Sequence, residues 1–195
     1  MKIPKKVIKI LKEGGIGVLP TDTIYGLVGS ALSKNTVERI YKVRKREKRK
    51  PFIILISSSK DLKIFGIKLK AFQKKLIKKF WPGPFSLIFE CKSKKFKYLH
   101  RGKKRLAFRV PKPKWLRKPL REVGPLVAPS ANLAKMPPAT NIKEAKNYFK
   151  NNVDFYFNCG KIDKKPSTLI DVREKKIKIL RYTHKMPPAS FLLGF

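Results

Sequence analysis

The sequence predicts an α/β fold of a single domain, a twisted mixed sheet with flanking helices, and three observations carry that expectation. Short apolar runs of strand length alternate with segments whose apolar residues recur at helical spacing. The alternation contains no internal repeat and no low-complexity linker, so one sheet is expected over residues 1–195. At 195 residues and 42% hydrophobic content, the chain can bury one real core and is too short for two.

Each element follows from local chemistry. Met1 to Leu11 sets Ile3, Val7, Ile8, Ile10 and Leu11 among lysines ahead of Gly14-Gly15, which reads as an amphipathic helix with a glycine stop rather than a signal peptide. Ile16 to Leu19 is a short buried strand that ends at Pro20 and opens into Thr21-Asp22-Thr23, placing small hydroxyls at a strand terminus, where α/β proteins tend to hold ligands. Asn35 and Glu38 have the spacing of a capping box, with Val37, Ile40 and Tyr41 on the helix behind it. That helix delivers the basic run Arg44 to Lys50, and Pro51 introduces a buried strand, Phe52 to Ile56. Leu69, Phe72, Leu76, Ile77 and Phe80 mark one face of a helix that Pro82-Gly83-Pro84 stops. Strands at Ser86 to Cys91 and Leu106 to Val110, a short helix at Trp115 to Glu122 and a strand at Leu126 to Ala128 come next. A polar helix at Ile142 to Phe149 precedes strands at Phe155 to Cys159, Thr168 to Val172 and Ile177 to Leu180. The tail 186–195, with Pro187-Pro188 and then Phe191, Leu192, Leu193 and Phe195, packs back on the domain or meets a partner.

Charge narrows the function classes. Lys and Arg total 49 against 12 acidic residues, a formal charge of +37, so the surface attracts anions such as nucleotides, pyrophosphate or RNA. The bland reading of many lysines is a solvated coat, and it holds best for Lys45, Lys48 and Arg49. Cys91 and Cys159 are far apart in apolar runs, so buried thiols are expected and no disulfide. His100 and His184 lack partners at metal-ligand spacing and read as surface or loop residues, so no protein-held metal is expected. No run approaches the ~20 apolar residues that cross a bilayer, and a cytoplasmic protein without membrane contact is expected.

Three further clusters join Pro20 to Leu27 in carrying chemistry. Guanidinium groups two residues apart at Arg44 and Arg46 suit two phosphates, or a phosphate and a carboxylate. Ser130-Ala131-Asn132 follows a strand, with a helix-capping turn as its plain alternative. Ser167-Thr168 opens a strand, and Arg181 closes the next. The phosphate loop G-x-x-x-x-G-K-[ST], the dinucleotide fingerprint, the G-x-S-x-G elbow and H-E-x-x-H are all missing from the sequence. Hydroxyls and arginines without a protein nucleophile suit a site that positions two charged substrates and screens their charge, the profile of nucleotidyl transfer.

Taken in order, PTDTIYGL, Arg44-x-Arg46 with Pro51 behind it, WPGPFSLIF, LAFRVP, APSAN, PSTLIDV and ILR resemble the YrdC family of threonylcarbamoyl-adenylate synthases, over about residues 15–181. The resemblance implies an open α/β fold with a basic concave cavity, in the short single-domain form. It implies condensation of L-threonine, bicarbonate or CO2, and ATP to threonylcarbamoyl-AMP and pyrophosphate, with Mg2+ arriving on ATP. The product serves N6-threonylcarbamoyladenosine synthesis at position 37 of tRNA, so tRNA or double-stranded RNA and downstream threonylcarbamoyl-transfer proteins are implied partners. Carried over by motif, Thr23, Arg109, Ser130 and Ser167 fall at threonine-binding positions. Arg46, Lys50, Asn132, Thr140 and Arg181 fall at ATP-binding positions, and Arg44 with Arg46 takes the catalytic, charge-screening role. Tyr25 is expected in the cavity wall or as a structural aromatic, and Asp22 and Asp171 in turn and orienting roles.

The chain departs from the family pattern at four positions. Arg44 stands for the usual lysine and Glu47 for a proline, Lys50 stands where relatives often have asparagine, and Leu55 stands where many have histidine. Two rivals remain. A double-stranded RNA or ribosomal RNA binder would use the same charge without chemistry, and its binding would weaken steeply with salt and survive loss of Thr23. A carbamoyl-transfer relative would keep the fold and change the acceptor.

Overall fold

The computed structural model describes residues 1–186, and the expected tail packing falls almost wholly outside them. The strands are β1 (Gly17–Pro20), β2 (Tyr25–Ser30), β3 (Ile53–Leu55), β4 (Phe85–Glu90), β5 (Arg105–Arg109), β6 (Leu126–Val127), β7 (Phe155–Tyr156), β8 (Thr168–Asp171) and β9 (Lys178–Arg181). They form one sheet in the order β7-β1-β2-β6-β3-β5-β4-β8-β9. The sheet is mixed: β1 with β7, β3 with β5 and β4 with β8 are parallel, while the remaining neighbours are antiparallel. The helices are α1 (Lys5–Lys12), α2 (Lys34–Val43), α3 (Ala71–Phe80), α4 (Lys97–His100), α5 (Lys114–Val123) and α6 (Ile142–Phe149).

Strand alternation builds two apolar layers. Val18, Leu27, Ile54, Ile56 and Val127 face α2 and α3, meeting Val37, Ile40, Leu76 and Phe80. Their neighbours Leu19, Val28, Leu55 and Leu126 point the other way, against Val7 and Leu11 of α1 and Leu116 and Leu120 of α5. Gly26, Ile53 and Ala128 lie two residues from Val28, Leu55 and Leu126, and Arg109 pairs with Leu55 in register. All four therefore belong to the α1/α5 side of the sheet. A cavity opens on that side where the two helices do not cover it.

Several local expectations differ from the structure. α2 is capped by Ser33, whose Oγ accepts from the Thr36 amide, rather than by Asn35. β2 occupies a stretch in which no strand was expected, because its two glycines weaken the strand pattern. At Gly29 a Cβ would collide with Thr36 and Ile16, so the glycine is what lets α2 pack onto the sheet. Cys91 is buried, but Cys159 is exposed, because β7 ends at Tyr156 and the apolar run past it is not strand. His100 is buried rather than superficial: it closes α4, and its Nδ1 accepts from the Gly102 amide.

Candidate active site

A cavity of about 260 Å3 collects residues from widely separated segments. The β1–β2 turn brings Thr21 and Thr23, the C-terminal end of α2 brings Arg44 and Arg46, and β5 ends in Arg109. The segment after β6 brings Ser130, the approach to β8 brings Ser167, and β9 closes with Arg181. Phe52, Ile53, Pro138 and Leu169 add apolar wall.

Arg109 is 4% exposed and organises one half of the cavity. Its Nη1 lies 2.9 Å from Asp22 Oδ1 and donates to Thr23 Oγ1 at 2.9 Å, while Nη2 reaches Thr21 Oγ1 at 3.4 Å. Thr21 in turn donates to the Ile24 carbonyl at 2.7 Å, which fixes the turn that presents Thr23. Asp22 is thus more than a turn residue: it is the counter-ion of Arg109. Burial holds the Arg109 pKa below the ordinary guanidinium range, with Asp22 opposing that shift and Arg181 adding to it.

Arg44 organises the other half and is 1% exposed. Its Nε donates to the Asn132 carbonyl at 3.0 Å, and its Nη2 donates to Asn132 Oδ1 at 2.8 Å and Ser130 Oγ at 3.3 Å. No carboxylate pairs with it among the described residues, and its buried Nη1, like Arg46 Nε, has no hydrogen-bond partner there. Burial and the neighbouring Arg46 pull the Arg44 pKa down to about 10, and burial lowers those of Arg46 and Arg181. Both Arg44 and Arg46 lie over the Phe52 ring, at 6.0 and 5.7 Å from its centroid. Arg181 donates from Nε to the Ser167 carbonyl at 2.9 Å, and Ser167 Oγ shares a 2.8 Å hydrogen bond with Ser86.

Four guanidinium groups therefore converge on one cavity lined by no carboxylate, and among the described residues only Arg109 of the four has an ion-pair partner, Asp22. Desolvated cations without counter-ions are costly, and a bound anion relieves that cost. The arrangement suits two anionic ligands, one at the hydroxyl-flanked Arg109 and one at Arg44 and Arg46.

The structure brings Thr23, Arg44, Arg46, Arg109, Ser130, Ser167 and Arg181 to this wall, and it places three other expected residues elsewhere. Asn132 is buried behind Arg44, with Nδ2 donating to the Leu133 and Met136 carbonyls at 2.8 and 2.7 Å. Thr140 is held by the Glu144 carboxylate at the start of α6. Lys50 is exposed and paired with Glu47 at 3.0 Å, the very residue that replaces the family proline. Tyr25 is wholly buried, with its hydroxyl donating to the Gly160 carbonyl at 2.8 Å, and burial drives its pKa up to about 12. Its role is structural. Phe52 has no signal in the sequence as a cavity residue because it sits in an apolar strand run, where nothing distinguishes a cavity wall from core; Ser86 is fully buried and supports the cavity only through Ser167.

A family model named for Sua5, YciO and YrdC and described as telomere recombination matches residues 9–183. The chain belongs to this family. A relative from Methanocaldococcus jannaschii is 30% identical over 182 residues, covering 91% of this chain and 86% of its own. The Pyrococcus abyssi protein named threonylcarbamoyl-AMP synthase is also 30% identical, over 174 residues, and the chain spans 51% of its length. The crystal structure of P. abyssi Sua5 complexed with L-threonine superposes with a TM-score of 0.87 at 28% identity, over 97% of this chain and 57% of that one. Escherichia coli YciO gives a TM-score of 0.79 at 25% identity, over 90% of this chain and 86% of its own. The family's shared fold thus accounts for nearly all the described residues of this Sua5/YciO/YrdC member.

Proposed function

We propose that the protein is an L-threonylcarbamoyladenylate synthase, condensing L-threonine, bicarbonate and ATP to threonylcarbamoyl-AMP and pyrophosphate for N6-threonylcarbamoyladenosine synthesis in tRNA. The observation that carries this reading is the single cavity in which Arg109, Thr23, Ser130 and Ser167 stand beside Arg44, Arg46 and Arg181. The names of the curated relatives and the threonine-bound P. abyssi structure support it.

In this reading the threonine carboxylate pairs with Arg109, whose fork is set by Asp22 and the two threonine hydroxyls. The threonine amine adds to CO2 formed from bicarbonate, losing a proton and giving a carbamate. A carbamate oxygen attacks the α-phosphorus of ATP, the bond to the bridging α,β-oxygen breaks, and pyrophosphate leaves. Attack of an anion on a polyphosphate needs positive charge at the phosphates, which Arg44, Arg46 and Arg181 supply from fixed positions. Asn132 and Ser130 fix the Arg44 fork, so Asn132 acts through Arg44. Mg2+ enters with ATP as part of the substrate: among the described residues no carboxylate lines the cavity, and Asp22, in the turn with Thr21 and Thr23, is engaged by Arg109. Bicarbonate and ATP, a tRNA destination and a cytoplasmic place of work belong to the same proposal; among the described residues no helix is long and apolar enough to cross a membrane.

The test incubates the protein with labelled bicarbonate, Mg-ATP and each amino acid in turn, and separates the products. Labelled threonylcarbamoyl-AMP with equimolar pyrophosphate is expected only with threonine. Equal turnover with other amino acids, or ATP consumption without any, contradicts it.

A further inference from the structure

Ser86 interrupts the apolar run of β4 with a hydroxyl that is fully buried. The β4–β8 ladder sets Ser86 in register with Leu169, and the Thr168 amide donates to the Pro84 carbonyl at 3.0 Å, so Ser167 is held directly alongside. The two Oγ atoms lie 2.8 Å apart, and among the described residues this is the one hydrogen bond that Ser86 Oγ makes. Ser167 Oγ also accepts from Arg181 Nη2 at 3.3 Å. Ser167 lines the cavity and Ser86 does not.

Either hydroxyl of this pair can donate, and burial decides between them. A buried O–H without an acceptor is costly, and among the described residues Ser86 has no acceptor for its proton other than Ser167. Ser167 has an alternative, because its proton can turn into the cavity toward a ligand. With Ser86 donating, both lone pairs of Ser167 Oγ are taken, one by Ser86 and one by Arg181, and a hydroxyl has only two. What Ser167 has left to offer is a proton. The geometry points to Ser86 as a positioning residue that commits Ser167 to donating into the cavity, toward a carboxylate or carbamate oxygen of the amino-acid substrate. This assignment rests on the synthase reading given above. Two donors on one oxygen polarise its own O–H, so the bond it gives an anion is strengthened as well as aimed. The substrate ammonium, by contrast, finds no free lone pair at Ser167.

The test measures threonine Kd by calorimetry without ATP or bicarbonate, and kcat by pyrophosphate release at saturating substrates. The variants are Ser86→Ala, Ser86→Cys, Ser167→Ala and the double Ser86→Ala/Ser167→Ala. Ser86→Ala strands no buried partner, because Ser167 opens onto the cavity, so the fold is retained. Ser86→Cys keeps nearly the same volume with only a weak S–H donor, which separates hydrogen bonding from packing. Both Ser86 variants should weaken threonine binding or lower kcat at least about threefold. A loss in Kd assigns the bond to the carboxylate, and a loss in kcat alone assigns it to the carbamate. In the Ser167→Ala background, Ser86→Ala should change neither quantity. Additive losses would make Ser86 merely structural, and parent-like behaviour of Ser86→Cys would reduce its role to packing; either result overturns the inference. So would unchanged Kd and kcat in Ser86→Ala. A parent chain that binds no threonine and makes no adenylate fails the synthase reading instead, and this inference falls with it.

Discussion

Replacing Arg109 tests the site and the fold at once. Its side chain is 5% exposed and that of Asp22 is 7% exposed, so the 2.9 Å pair is held away from water. Arg109→Met leaves the Asp22 charge buried and uncompensated, a loss of about 3–5 kcal/mol, large against a total stability of about 5–15 kcal/mol. Adding Asp22→Asn removes the stranded charge, so the double variant should be more stable than Arg109→Met alone by about 2 kcal/mol or more. Urea denaturation followed by circular dichroism gives the cycle. Threonine binding, read by calorimetry, should separate the same variants differently. Loss of a charged hydrogen-bonding partner of the carboxylate costs about 1.5–3 kcal/mol, or roughly 10–150-fold in Kd. Arg109→Met and the double variant should both lose that much, while Asp22→Asn, which keeps the Arg109 cation but frees one arm of its fork, should lose less. Strictly additive stabilities, or undiminished threonine binding by Arg109→Met, would refute the ion-pair reasoning.

Arg44→Lys should keep a cation at the phosphate end and retain measurable synthesis, while Arg44→Met should lower kcat by at least about 100-fold, read by pyrophosphate release. Lys50→Ala, removing an exposed partner of Glu47, should change kcat/KM for ATP less than about twofold, and a larger loss would put Lys50 back in the site. The Asp154 carboxylate accepts from Arg39 and from the Ile16 amide, and these bonds hold its pKa below the ordinary 3.8. A lowered folded-state pKa means that its stabilisation is complete above about pH 3.8 and fades as pH drops through the folded value. Asp154→Asn should therefore cost about 1 kcal/mol at pH 6, and the gap to the parent should shrink below pH 3.8 in chemical melts.

Element type was legible wherever the apolar period was clean, as at Ile142 to Phe149, where α6 has the expected bounds. It failed where glycine interrupts the pattern: β2 contains Gly26 and Gly29, and Gly29 is used for close approach of Thr36 and Ile16. Arg44, Arg46 and Arg181 were readable from their places beside helix and strand ends. Arg109 was readable only through the family motif LAFRVP, since an arginine at an element end can equally be structural, as Arg101 is in its pair with Glu38. Burial direction was not readable. Asn132 and Ser130 share one short segment, yet Ser130 faces the cavity and Asn132 turns inward to bind Arg44. Lys50, itself a departure from the family pattern, and Thr140 are claimed by nearby carboxylates, Glu47 and Glu144, whose reach depends on local geometry. The Asp22–Arg109 pair joins residues 87 positions apart and has no local signature.

The account rests on amino acid and nucleotide sharing one cavity, and the direct measurement is a crystal structure of the chain with L-threonine and a nonhydrolysable ATP analogue. The threonine carboxylate should lie against Arg109 and Thr23, with the phosphates against Arg44, Arg46 and Arg181. Ligands in separate places, or phosphates seated on the surface lysines instead, would contradict it.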